Sequence, residues 1–202
     1  KHYRAQVNER VLALLSARPD EPELIALVTL GLHHEQQHQE LMLTDIKHAL
    51  SFNPLHGPYA PRWPMAAVRP QALSWFGYAG GVAEQGHDAP LDGTFSFDNE
   101  SPRHPALLAP FELASRPVTY GECLAFVDDD GYDRPELWLS MGWDWVRAQA
   151  ARAPKLAPLY WRHVDGAWFN HTLQGNVGID SYTPVCHLSC FEADAYARWA
   201  GA

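Results

Sequence analysis

Apolar positions along the first fifty residues recur at helical spacing. Val7, Val11, Leu14 and Leu15 share one face of a helix, which Ala17-Arg18-Pro19-Asp20-Glu21-Pro22 breaks. A longer helical pattern starts at Glu23 and runs through Leu24, Leu27, Val28, Leu32, Leu41, Ile46 and Leu50. It stops at "SFNPLHGPYAPRWP", where prolines 54, 58, 61 and 64 forbid continuation. After about residue 70 the pattern changes to short aromatic or apolar runs broken by Gly, Pro, Asn and Asp. "LSWFGYAGG", "GTFSFDNE" and "HPALLAPFELAS" predict short strands and loops, and "TYGECLAFVDDD" and "CFEADAYARWAG" predict helices.

These elements predict an all-helical piece at residues 1–56, a linker at 57–72 and an irregular α+β piece at 73–202. Two helices alone make a poor core, so the first piece is expected to need partners outside this chain, and both pieces are expected to be incomplete. The chain carries 15 Lys and Arg against 24 Asp and Glu, a formal charge of -9, with no basic cluster. That balance disfavours nucleic acid and anionic membranes as partners. No run approaches a membrane span, and "KHYRAQVNER" lacks the apolar centre of a signal peptide, so the cytoplasm is the expected compartment. Cys123, Cys186 and Cys190 are too few, and odd in number, for a disulfide framework; all three are expected to serve as small buried apolar groups.

The candidate chemistry lies in "LHHEQQHQE". His34-Glu35-Gln36-Gln37-His38 matches H-E-x-x-H, in which histidines four apart on one helix face bind a single metal ion. Two neutral imidazoles suit Zn, Fe, Cu or Ni alike. Gln37 lies on the edge of the same face, and Glu40 or Asp45 is placed to accept an outer imidazole N–H. A zinc peptidase needs a third protein ligand. The metzincin extension would put Gly at 41 and His at 44, where this chain has Leu41 and Thr44. The zinc metallopeptidase therefore ranks as a lesser alternative, beside a non-enzymatic binding module on a helical stub.

"HHEQQHQELMLTDIKH" resembles the metal helix of the ergothioneine-biosynthesis sulfoxide synthases and of the related selenoneine synthases. "FDNESPRHPALLAPFELASRPVTYGECLAFV", "GYDRPELWLSMGW", "APLYWR" and "PVCHLSCFEADAYARWAG" resemble the formylglycine-generating-enzyme-like half of the same enzymes. The resemblance implies a DinB-like helical bundle followed by a C-type-lectin-like domain of the sulfatase-modifying-factor type. It implies a non-haem Fe(II) held by three histidines, of which His34 and His38 match two and the third is expected upstream of residue 1. Gln37 is implied to lie near the substrate N-trimethylhistidine (hercynine). The donor-binding residues and a catalytic Tyr are expected beyond residue 202. The implied reaction forms a C–S bond between hercynine and cysteine or γ-glutamylcysteine, using O2; the alternative is C–Se bond formation from a selenosugar. Trp138, Trp143, Trp145 and Trp161 are available to a quaternary ammonium group, although hydrophobic core is the expected role for each.

Overall fold

A computed structural model describes residues 1–61, 63–64, 66, 69–88, 93–151 and 155–202. Helix α1 spans His2–Ala17 and α2 spans Pro22–Ser51, matching the two apolar patterns. Proline suits the first turn of α2 because the N–H it lacks would have no helical partner, and Glu23 complements the positive end of the helix dipole. Neither helix buries a residue, and Leu12, Leu27, Leu32 and Leu41 are all exposed. Leu15, Leu24, Val28, Ile46 and Leu50 are half-buried, so the apolar stripes find only partial cover among the described residues. The described part of 57–72 has no helix or strand, as its prolines require; positions 62, 65, 67 and 68 of this expected linker lie outside the described residues.

The chain divides into two compact units, residues 1–44 with 79–111 and residues 45–78 with 112–202. In the first, β2 (Gly81–Gln85) pairs antiparallel with β3 (His104–Leu108), from Gly81 opposite Leu108 to Gln85 opposite His104. Within "GTFSFDNE", read as short strand or loop, residues 93–97 are irregular and Asp98–Glu100 form a 3-10 turn. Local side-chain bonds compete successfully with a strand here. The Glu100 carboxylate accepts from the Phe97 amide at 2.7 Å, and the Asp98 carboxylate accepts from the Asn99 amide at 2.9 Å.

In the second unit, β1 (Trp75–Tyr78) pairs with β4 (Phe111–Ala114), and β5 (Trp161–Val164), β6 (Ala167–Thr172) and β7 (Gly175–Gly178) form an antiparallel meander. Three helices pack with it: α3 (Tyr120–Asp128), α4 (Ser140–Ala150) and α5 (Cys190–Ala200). Helices α3 and α5 each start with a capping box. The Thr119 hydroxyl accepts from the Glu122 amide and the Ser189 hydroxyl from the Glu192 amide, while each glutamate reaches back to its cap residue's amide. Tyr120, Cys123, Phe126 and Val127 of α3 meet Tyr132, Trp138, Val146, Trp161 and Ala195 in the core. Helix α4 has no counterpart among the sequence expectations. Its Gly142 leaves room for Phe191, since a Cβ there would lie 2.9 Å from the Phe191 Cβ. Trp138 and Trp161 are buried and Trp143 packs against the core as expected, whereas Trp145 is exposed.

Candidate metal centre

Helix α2 turns the H-x-x-x-H spacing into geometry. The His34 and His38 rings stand 4.5 Å apart between centroids, edge-on at 80°. Both side chains are exposed, as are Glu35, Gln37, Glu40 and Asp45. Glu40 makes no side-chain bond to either imidazole among the described residues. Two adjacent, accessible imidazoles fit two positions around a first-row transition ion. Among the described residues, no third His, Cys, Asp or Glu joins them in a metal-binding group.

His33, beside the pair, behaves differently. Its ring lies nearly parallel to that of Phe95, 4.0 Å between centroids at 11°, and Phe95 meets Phe97 edge-on at 4.9 Å. Through residues 30–45 of α2, His33 alone is half-buried and every other side chain is exposed.

In the second unit the last turns of α2 carry another cluster. The Lys47 ammonium sits 4.4 Å from the Tyr160 ring centroid and makes a short contact with His187 Nε2. His48 Nδ1 lies 3.0 Å from the Tyr160 hydroxyl, and Tyr160 meets His187 edge-on at 4.8 Å. Burial pushes the Lys47 pKa down, opposed by Cys186; burial and then Lys47 lower that of His187. Tyr160 (φ 72°) and His187 (φ 65°) both hold left-handed backbone conformations, which are strained for side chains of this size. They line a cleft of about 990 Å3 together with Trp145, Trp161 and Trp168.

The cysteine expectation divides. Cys123 is buried, and burial followed by the nearby Glu192 charge pushes its thiol up to about 12. Cys186 and Cys190 are exposed instead, because the loop before α5 and its first residue face outward. Cys186 Sγ lies 3.2 Å from the Tyr120 hydroxyl, which accepts from Asn170 Nδ2 at 2.6 Å. The cluster around Lys47 escaped sequence reasoning because Lys47 and His48 lie more than a hundred residues from Tyr160 and His187; the K-H pair near the end of α2 was its one local sign.

No helix among the described residues is long and apolar enough to cross a membrane. Residues 70–202 match the sulfatase-modifying factor enzyme 1-like domain. Similarity to curated proteins extends over the whole chain. It is 36% identical over 206 residues to a hercynine oxygenase of Mycolicibacterium smegmatis, covering 99% of this chain and 44% of that protein. It is 35% identical over 203 residues to a hercynine oxygenase of Mycobacterium tuberculosis, covering 100% of this chain and 45% of that protein. It is 32% identical over 158 residues to the formylglycine-generating enzyme of Streptomyces coelicolor, covering 71% of this chain and 48% of that enzyme. The chain therefore spans less than half the length of these curated relatives. It belongs to the sulfatase-modifying factor enzyme 1-like family, and its similarity to the hercynine oxygenases over its own length bears out the resemblance to the ergothioneine-biosynthesis sulfoxide synthases.

Proposed function

We propose that this chain is part of an iron-dependent hercynine oxygenase. The enzyme joins the sulfur of cysteine or γ-glutamylcysteine to the imidazole carbon of hercynine, with O2 as oxidant, in ergothioneine biosynthesis. Residues 1–56 then supply two helices of a DinB-like bundle that includes the metal helix. Residues 57–72 are the linker, and residues 73–202 are the first part of a formylglycine-generating-enzyme-like domain. The observation that carries the reading is the edge-on His34/His38 pair, on the helix of a chain similar over its whole length to hercynine oxygenases.

In this reading His34 and His38 are two of three histidine ligands, and the third comes from a segment before residue 1. His34 and His38 would hold Fe(II), which would supply the O2 chemistry and bring the reactants together, raising their effective concentration. Gln37, one residue from His38 and exposed, lies near the bound hercynine in this reading. Glu35 is exposed and serves as a solvated carboxylate rather than as the base of a peptidase.

The test uses the full-length protein reconstituted with Fe(II) without oxygen. It is then given hercynine, O2 and either cysteine, γ-glutamylcysteine or a selenosugar, and the product is identified by mass spectrometry. A sulfoxide adduct from one thiol donor is the expected result. Turnover with the selenosugar alone would assign the enzyme to C–Se chemistry, and zinc-dependent peptide cleavage without oxygen uptake would overturn the reading. His38→Ala is expected to abolish iron binding, whereas Glu35→Gln keeps substantial turnover.

A further inference from the structure

We propose that His33 is a positioning residue for the neighbouring metal pair: its imidazole, stacked on Phe95, sets the rotation of α2 and so the direction in which His34 and His38 present their nitrogens. This deepens the metal reading above and rests on it.

From residue 30 to residue 45, α2 has one half-buried side chain, His33. Between the half-buried Val28 and Thr29 before it and Ile46 and Lys47 after it, the stretch carrying both candidate ligands has His33 as its own hold. That face meets Phe95 at 4.0 Å and 11°. Phe95 is braced by Phe97 at 4.9 Å, and the backbone around Phe97 is closed by the Glu100 carboxylate on the Phe97 amide at 2.7 Å. The Glu100 carbonyl accepts from the His87 amide at 2.7 Å, which ties the turn to the end of the β2–β3 hairpin. His33 makes no hydrogen bond through its ring nitrogens among the described residues, so its contribution is that of a flat ring packed on another.

Consecutive residues of a helix are about 100° apart around its axis, so fixing His33 fixes the directions of His34 and His38. The leverage is large. A side-chain nitrogen about 6 Å from the axis moves about 2 Å when the helix turns by about 20°. Metal–nitrogen distances tolerate only about 0.2 Å, so a helix free to rock by that angle presents the pair in ligating geometry part of the time.

The experiment compares full-length wild type, His33→Ala, His33→Phe and Phe95→Ala. Co(II) affinity and visible absorption report the site, and hydrogen exchange of peptides covering residues 30–44 reports the helix. His33→Ala and Phe95→Ala are expected to weaken Co(II) binding about tenfold, in the range found when groups that orient metal ligands are removed, and to speed exchange across the stretch. His33→Phe, which keeps the stack, stays within about twofold of wild type in both readouts. His33→Ala with unchanged Co(II) affinity and exchange overturns the positioning role, as does His33→Phe failing as badly as His33→Ala. Wild type that binds no Co(II) overturns the metal reading itself, and the role of His33 with it.

Discussion

Tyr132→Phe tests the most exacting contact in the second unit's core. The Tyr132 hydroxyl donates to Glu192 Oε1 at 2.6 Å, with both side chains buried, while Oε2 of the same carboxylate accepts from the Ser189 amide at 2.7 Å and caps α5. Burial, then Glu192, pushes the phenol pKa far above its usual value, so the hydroxyl keeps its proton at any working pH. Removing it leaves one oxygen of a buried carboxylate without its donor. Hydrogen bonds to charged groups contribute about 1.5–3 kcal/mol, and the short, enclosed geometry places this one near the top, so a loss of about 2–3 kcal/mol is expected. For a chain of this size that corresponds to a fall of roughly 4–12 °C in the melting midpoint. Urea unfolding of wild type, Tyr132→Phe, Glu192→Gln and the double variant measures it, and the double variant should cost less than the sum of the singles. A Tyr132→Phe cost under about 0.5 kcal/mol, or strict additivity, would refute the reasoning.

Gly131→Ala should be at least as damaging, about 3 kcal/mol by urea unfolding, because the new Cβ would lie 2.2 Å from Cε2 of the buried Phe126, with no room for that ring to yield. Thr119→Ala removes the side-chain cap of α3 and should cost about 1 kcal/mol in the same assay. The Arg116 guanidinium, bonded to both oxygens of Glu122, is the main cause holding that carboxyl down at about 2, with Thr119 assisting. An unfolded carboxyl takes up its proton first as pH falls. The stabilisation is therefore full above about pH 4.5 and is lost towards about pH 2, and melting curves of wild type and Glu122→Gln should converge over that window. In the native 202-residue chain a maleimide should label Cys186 and Cys190, whereas Cys123, buried and with its thiol pushed up to about 12, should react only after unfolding; mass spectrometry of labelled peptides distinguishes the three.

What the sequence disclosed and what it hid divide along the range of the interactions. Helices α1 and α2 were legible because apolar spacing and the Pro19–Pro22 break act within a few residues, and the His34/His38 geometry follows from a four-residue spacing on one helix. α4 was not. Two tryptophans and a glycine weaken its local helix preference, and its packing is settled by Gly142 against Phe191, nearly fifty residues further on. In "GTFSFDNE", where the sequence left strand or loop open, the loop forms because Asp98 and Glu100 offer the backbone local bonds that outcompete a ladder. The same turn explains why the partner of His33 was invisible. Phe95 stands two positions before the amide that Glu100 closes, so a contact across sixty-two positions adjoins a four-residue device. On the proposed metal reading, α2 thus has two kinds of determinant. The identity of the candidate ligands is local and legible, whereas their direction would depend on a distant aromatic ring beside an acidic turn. Substitutions at Glu100 should accordingly disturb the metal pair without touching α2, and Glu100→Gln should do so less than Glu100→Ala, because the amide oxygen still accepts from Phe97.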